Sequence, residues 1–195
     1  MLEFHTPSTP QKTSSTRDRL LKTTARLLQR KGYHGTGLSE ILRTSKTPKG
    51  SLYHYFTGGK DELVIAALEG EAKKLTDDLM DVMENSLDLL DAMERVIDYF
   101  SQRLIESDYQ VGSPLAPVAI EISNTHPHIL AVCSRYYSEW EVVFSDKASK
   151  SGMPENKAEE FGRNFLIQLE GALLLSKIHK TPHYLQYLLN QFSLT

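Results

Sequence analysis

Lys49-Gly-Ser-Leu-Tyr-His-Tyr-Phe56, preceded by Thr47-Pro48 and followed by Gly58-Gly59-Lys60-Asp61-Glu62-Leu63, constrains this chain more than any other stretch of it. Threonine then proline sets a cap ahead of a first helical position, where proline's missing N–H is no loss. A helix of about two turns is therefore predicted to open at Pro48. On such a helix Leu52, Tyr55 and Phe56 share one side, while Lys49, Gly50, Tyr53 and His54 share the other. The first side can anchor. The second combines a cation, a glycine that permits close approach, a phenol and an imidazole, which suits a phosphate backbone and base edges better than a core.

Charge is divided in the same way. Residues 1–60 carry 11 Lys and Arg against 3 Asp and Glu, a balance of +8, whereas residues 61–195 carry 11 against 22, a balance of −11. The near-neutral total of −3 thus hides a basic head on an acidic body, the asymmetry of a chain that meets a polyanion at one end. The plainer alternative is a solvated surface of uneven charge.

The single cysteine, Cys133, cannot form a bridge within the chain, which fits a reducing cytoplasm. Residues 1–15, rich in Ser, Thr and Pro, read as a flexible arm with no charged-then-apolar leader. The most apolar segment, Phe165 to Ile178, is interrupted by Gln168, Glu170, Ser176 and Lys177 and is too short for a bilayer span. A soluble, cytoplasmic protein without a membrane partner is expected.

Prolines punctuate helix starts, and no hairpin turn or sustained apolar–polar alternation signals a strand. The fold is predicted to be all-α, with about nine helices. The first runs from Thr16 to Lys31, ended by Gly32 in a left-handed conformation. A second, from Leu38 to Thr44, is capped by Thr36 or Gly37, and a link of Ser45-Lys46-Thr47 leads to the helix at Pro48. Two short helices so joined, the second with a basic face, form a helix-turn-helix. A longer helix follows from Lys60 to Glu84, with others near 87–107, 114–124, 127–150, 155–180 and 183–193. The domains are accordingly an arm over 1–15, a helix-turn-helix head over 16–59 and an effector-binding and dimerisation body over 60–195.

Arg19 to Leu68 resembles the DNA-binding domain of the TetR family of bacterial transcriptional regulators. Ala25, Leu28, Gly32, Tyr33, Thr36, Ile41, Gly50, Leu52, Tyr53, Phe56, Lys60 and Leu63 fall on that family's spaced pattern. Two features are similar to its LmrA/YxaF branch: Pro48-Lys49-Gly50-Ser51-Leu52-Tyr53 with the extra glycine before Lys60, and Gly112-Ser113-Pro114 followed by Ala116-Pro117-Val118-Ala119-Ile120-Glu121. The chain departs from the pattern at Lys46, where relatives carry a small residue in the turn, at Thr47, where they carry an apolar one, and at Leu42, where they carry alanine. A left-handed lysine would cost about 1 kcal/mol, so a locally different turn is expected.

The resemblance implies that Lys49 and Tyr53 touch DNA. With them the candidate DNA-binding set is Thr36, Lys46, Thr47, Gly50, Ser51, His54 and Lys60. His54 suits a base edge or a phosphate equally. Thr36 suits a cap, a phosphate contact, or both. Lys60, at a helix start that disfavours a cation, reads as a phosphate ligand or as a solvated lysine offset by Asp61 and Glu62. Arg17, Arg19 and Lys12 read as loose backbone or minor-groove contacts or as part of a tail.

In the body, Phe100, Leu104, Pro117, Ile120, Glu121, Tyr136, Trp140, Phe165, Gln168 and Leu169 form the candidate ligand set, a mixture suited to a largely apolar effector. Core packing is the competing reading for each aromatic. Glu121 follows an apolar run and needs either a ligand or a structural partner. His126-Pro127-His128 lacks metal-ligand spacing, nothing marks Cys133 as an activated nucleophile, and Asp77, Asp78 and Asp81 read as a solvated face, so neither a cofactor nor an enzyme is expected.

The expectation is a homodimeric repressor, paired through the helices near 155–180 and 183–193, that binds a near-palindromic operator in double-stranded DNA. A small-molecule effector would shift the helix from Lys60 to Glu84 and so spread the reading heads. Branch resemblance implies a role in drug or toxic-compound resistance. A small-molecule sequestering protein with a weak DNA-binding head is the alternative, and activation in place of repression fits the same residues.

Overall fold

Ser15 opens the first helix, α1 (Thr16–Lys31), with a reciprocal cap: its hydroxyl accepts from the Asp18 N–H and the Asp18 carboxylate accepts from the Ser15 N–H. The structure, a computed structural model, describes residues 15–193 apart from position 123. The expected arm, Lys12 included, lies outside the described residues except for Ser15, which belongs to the helix as its cap. Gly32 ends α1 at φ 67°, a conformation that costs a side chain strain, and its N–H donates to the Leu28 carbonyl at 2.8 Å.

The next two helices are α2 (Leu38–Ser45) and α3 (Lys49–Tyr55). Gly37 caps α2, not Thr36, whose hydroxyl is buried and donates to the Gly32 carbonyl at 2.7 Å. The turn keeps the left-handed form despite its lysine: Lys46 sits at φ 53° and ψ 44°. Pro48 is the cap of α3 and not its first helical residue, because Thr47 turns its hydroxyl back to the Ser45 carbonyl and so provides no side-chain cap.

Six helices follow: α4 (Lys60–Asn85), α5 (Leu89–Glu106), α6 (Ala116–Ile122), α7 (Pro127–Lys150), α8 (Glu155–His179) and α9 (His183–Ser193). Among the described residues the fold is all-α, with nine helices and no strand.

Apolar side chains gather in two clusters. The smaller holds Leu20 and Leu27 of α1, Ile41 of α2, Leu52 and Phe56 of the α3 region, and Leu63 of α4. The larger takes Ala25 and Leu28 of α1, starts one residue later along α4, at Val64, and runs through Leu75 and Leu79 into α5, α6, α7, α8 and α9. Its centre is aromatic, with Phe144 and Phe165 packed edge to face at 4.8 Å. No helix among the described residues is long and apolar enough to cross a membrane.

Close approach of α7 and α8 depends on Gly162. A Cβ there would stand 2.6 Å from the Glu141 carbonyl oxygen and collide with the Ser145 hydroxyl. Gly162→Ala is therefore expected to push these helices apart and cost about 1–3 kcal/mol, read as a lowered urea midpoint.

Candidate nucleic-acid interface and body site

Burial of Leu52 and Phe56, one turn apart, fixes which way α3 faces. Lys49, Gly50, Tyr53 and His54 consequently lie exposed, and Tyr53 keeps 43% of its surface. The Lys49 ammonium stands 6.0 Å from the Tyr53 ring centroid, so cation and phenol form one outward unit. Gly50 has open space where a Cβ would be, and Lys46 projects from the preceding turn. Ser51 is half-buried. Tyr55, expected beside Leu52 and Phe56, is instead exposed, its ring edge to face with His54 at 5.0 Å, because two anchors one turn apart leave it off the buried stripe.

Three of the candidate DNA residues point elsewhere. Thr36 and Thr47 are buried, their hydroxyls spent on the carbonyls of Gly32 and Ser45. Lys60 donates to the Tyr33 carbonyl at 2.7 Å and lies 3.8 Å from the Tyr33 ring centroid. Burial pulls the pKa of Lys60 down, opposed by the charges of Asp61 and Glu121. Each of these three groups makes a hydrogen bond to a carbonyl within the head. Arg17 and Arg19, read as loose backbone or minor-groove contacts or as part of a tail, are α1 residues: Arg17 lies over the Phe56 ring at 5.6 Å, and Arg19 donates to the Ser45 carbonyl at 3.4 Å.

Lys60 belongs to a junction between head and body. The Tyr33 hydroxyl donates to the Asp61 carboxylate, and the His126 ring, just before α7, lies 4.4 Å from that of Tyr33. Glu121, on α6, accepts from the His34 N–H at 2.8 Å and packs where a Cβ on Gly32 would collide with its carboxylate. Of the two partners expected for Glu121, the structure supplies a structural one, the backbone just beyond α1. Lys177, near the end of α8, adds a bond to the Gln29 carbonyl at 3.2 Å.

The candidate ligand residues divide similarly. Phe100, Leu104, Tyr136, Trp140, Phe165 and Leu169 are buried in the main core, the Trp140 N–H donating to the Thr76 hydroxyl at 2.8 Å. Pro117 is half-buried. Ile120 keeps 74% of its surface and Gln168 is exposed, because α6 and α8 turn those positions outward; neither faces a body interior. Cys133 is buried, and desolvation pushes its thiol up to about 11, the opposite of activation. Asp78, expected to be solvated, accepts from the Tyr99 hydroxyl at 2.9 Å.

Glu170 was not among the candidates and is the most unusual group in the body. Its carboxylate end is enclosed, accepting from the Ser113 hydroxyl at 2.8 Å, and the Tyr137 hydroxyl lies 3.2 Å from the same Ser113 oxygen. Desolvation pushes Glu170 up to about 7, the two hydroxyls opposing. Its signal in the sequence was an acid inside the apolar run Phe165 to Ile178, read only as an interruption.

Two short helices joined by a tight turn, the second anchored by Leu52 and Phe56 and turning lysine, tyrosine and histidine outward, define a helix-turn-helix DNA-binding regulator. Residues 20–67 match the bacterial regulatory proteins of the tetR family, and residues 90–191 match the C-terminal domain of LmrA/YxaF-like transcriptional regulators. The uncharacterized HTH-type transcriptional regulator YxaF of Bacillus subtilis is 33% identical over 84% of this chain and 86% of its own length. The HTH-type transcriptional regulator LmrA of the same organism is 32% identical over 82% and 85%. A crystal structure of a TetR transcriptional regulator from Legionella pneumophila shares the fold, with a TM-score of 0.86 over 94% of this chain and 98% of that one at 17% identity. The chain belongs to the TetR family of transcriptional regulators, with an LmrA/YxaF-like C-terminal domain.

The Glu170 environment has a measurable consequence for stability. A carboxyl raised to about 7 in the fold but ordinary when unfolded is bound by more protons in the folded state between those values, so stability falls as pH rises from about 4.5 through 7. Urea titrations at several pH values are expected to show wild type losing on the order of 3 kcal/mol relative to Glu170→Gln across that window.

Proposed function

We propose that this protein is a non-catalytic homodimeric repressor that grips a near-palindromic operator through two copies of α3 and releases it when a small effector occupies the body. The observation that carries this reading is the outward Lys49, Gly50, Tyr53 and His54 surface, held in place by Leu52 and Phe56 in the head core. Lys49 and Lys46 supply phosphate contacts, and Tyr53 and His54 lie where base edges and sugars come within reach. An excess of positive charge over residues 1–60 adds the long-range attraction. Repression is favoured over activation by a relative named as such: the HTH-type transcriptional repressor NemR of Escherichia coli is 35% identical over 89 residues, 46% of this chain.

The dimer is supported by an apolar stripe that the single chain leaves uncovered. Ile167, Gly171, Leu174 and Ile178 recur along one side of α8 and are exposed, with Tyr187 exposed on α9. Open space above Gly171 lets another helix come close. A second copy of the chain presents the same stripe, so pairing across a two-fold axis covers both and sets two α3 helices at a fixed distance.

Release requires the effector to favour a head spacing that the operator does not accept. Residues at the junction provide the linkage: α6 holds the end of α1 through Glu121, and α4 runs from the head core into the body core. By its branch of the family the regulated genes are those of drug or toxic-compound resistance.

Against an operator fragment, Lys49→Ala and Tyr53→Ala are each expected to weaken binding about tenfold or more, Lys49→Ala also lowering the salt slope by about one. Unchanged affinity in both variants sinks the assigned face. Leu174→Glu with Ile178→Glu is expected to give a monomer by light scattering, with operator affinity lost alongside.

A further inference from the structure

Glu170 is out of place on its helix. Its inward neighbours Phe165, Leu169, Ala172 and Leu173 are apolar, and among the described residues no cation stands against its enclosed carboxylate. Two hydroxyls, those of Ser113 and Tyr137, are the partners it has. A carboxylate removed from water with only neutral donors is poorly compensated. It also remains an acceptor with lone pairs to spare. The Tyr137 ring stands edge to face with that of Trp140, 5.4 Å between centroids, so an aromatic pair adjoins the hydroxyl that reaches the acid. Carboxylate and aromatic rings together are what an organic cation finds attractive, and what an organic anion does not.

The same hydroxyl that serves Glu170 also holds the start of α6. Ser113 Oγ accepts from the Ala116 N–H at 3.2 Å, the bond by which a serine caps a helix three residues on. The segment leading to it is wound tightly, with Asp108 and Tyr109 both left-handed at φ 50° and 57°. At its other end α6 carries Glu121 to the His34 N–H beside the head. Whatever takes Glu170 away from Ser113 therefore acts on a residue that sets the position of α6.

We propose that Glu170 is the effector-recognition group of the body, and that it selects apolar ligands carrying a hydrogen-bond donor, an ammonium above all, while rejecting carboxylates. The ligand donor replaces the Ser113 hydroxyl at Glu170, with Tyr137 retained as the second donor and the Tyr137 and Trp140 rings flanking the cation. This deepens the reading of an effector-released repressor and rests on it for its regulatory meaning, though not for the binding event itself.

Trp140 is the sole tryptophan of the chain and reports on the site by its fluorescence. Three probes with one apolar body and different heads are titrated into the DNA-free protein near neutral pH: phenylbutylamine, phenylbutanol and phenylbutyrate. Wild type is expected to bind the amine about tenfold more tightly than the alcohol, with the acid weakest. Glu170→Gln is expected to bring the three within about threefold of one another. Tyr137→Phe, which keeps the acid but removes one of its two neutral donors and so leaves it more in need of the ligand's, is expected to hold or increase the preference for the amine. An acid bound as tightly as the amine, a ranking that survives Glu170→Gln, or a preference that collapses in Tyr137→Phe overturns the assignment. Because these titrations contain no DNA, failed operator binding would count against the repressor reading and leave the ligand result standing.

Discussion

Two helices, α1 and α4, are shared by two cores: Leu20 and Leu27 of α1 lie in the head cluster, and Ala25 and Leu28 in the body cluster. Leu63 of α4 closes the small cluster in the head, and Val64, the next residue, already belongs to the large cluster of the body. With 26 residues, α4 spans about 39 Å without interruption. A change in how its body end packs is carried to its head end as rotation or translation of the whole rod, since a helix resists bending far more than a loop does.

The rod is braced by a second connection of a different kind. Gly32, Tyr33 and His34 follow α1 and receive polar groups from three directions: Lys60 and Asp61 from α4, Glu121 from α6, and the His126 ring ahead of α7. Apolar packing tolerates small slides, whereas a carboxylate held at 2.8 Å by one N–H does not. Gly32 is required twice at this point, for its left-handed φ and for the space that the Glu121 carboxylate occupies. Lys60 and Thr36, which fall on the family's pattern, both contribute hydrogen bonds to this junction.

Helix number and order were legible in the sequence because caps and prolines are local signals. Gly32 as the end of α1, Lys60 as the start of α4 and Pro127 as the start of α7 all stand where they were expected. The direction of short side chains was less legible. Thr36 and Thr47 are small enough to turn either to solvent or to the nearest carbonyl, and the choice depends on backbone geometry that spacing along the chain does not contain. Tyr55 was misplaced because a helix of seven residues has only one turn of buried face, which Leu52 and Phe56 fill. Glu170 was missed for a different reason: its neighbours come from residues 57 and 33 positions earlier, and nothing near it in sequence announces Ser113 or Tyr137.

Charge imposes a last constraint on how these parts work together. Residues 61–195 carry a balance of −11, so two paired bodies bring like charges together, and the apolar stripe on α8 has to outweigh that repulsion. Salt screens it over about 10 Å at 0.1 M, and therefore favours the proposed pairing while weakening the attraction of the heads to phosphate. The two halves respond to ionic strength with opposite sign. The acidic bodies are also repelled from the duplex, which leaves the basic heads as the one end that can approach it and keeps non-specific contacts from engaging the rest of the molecule.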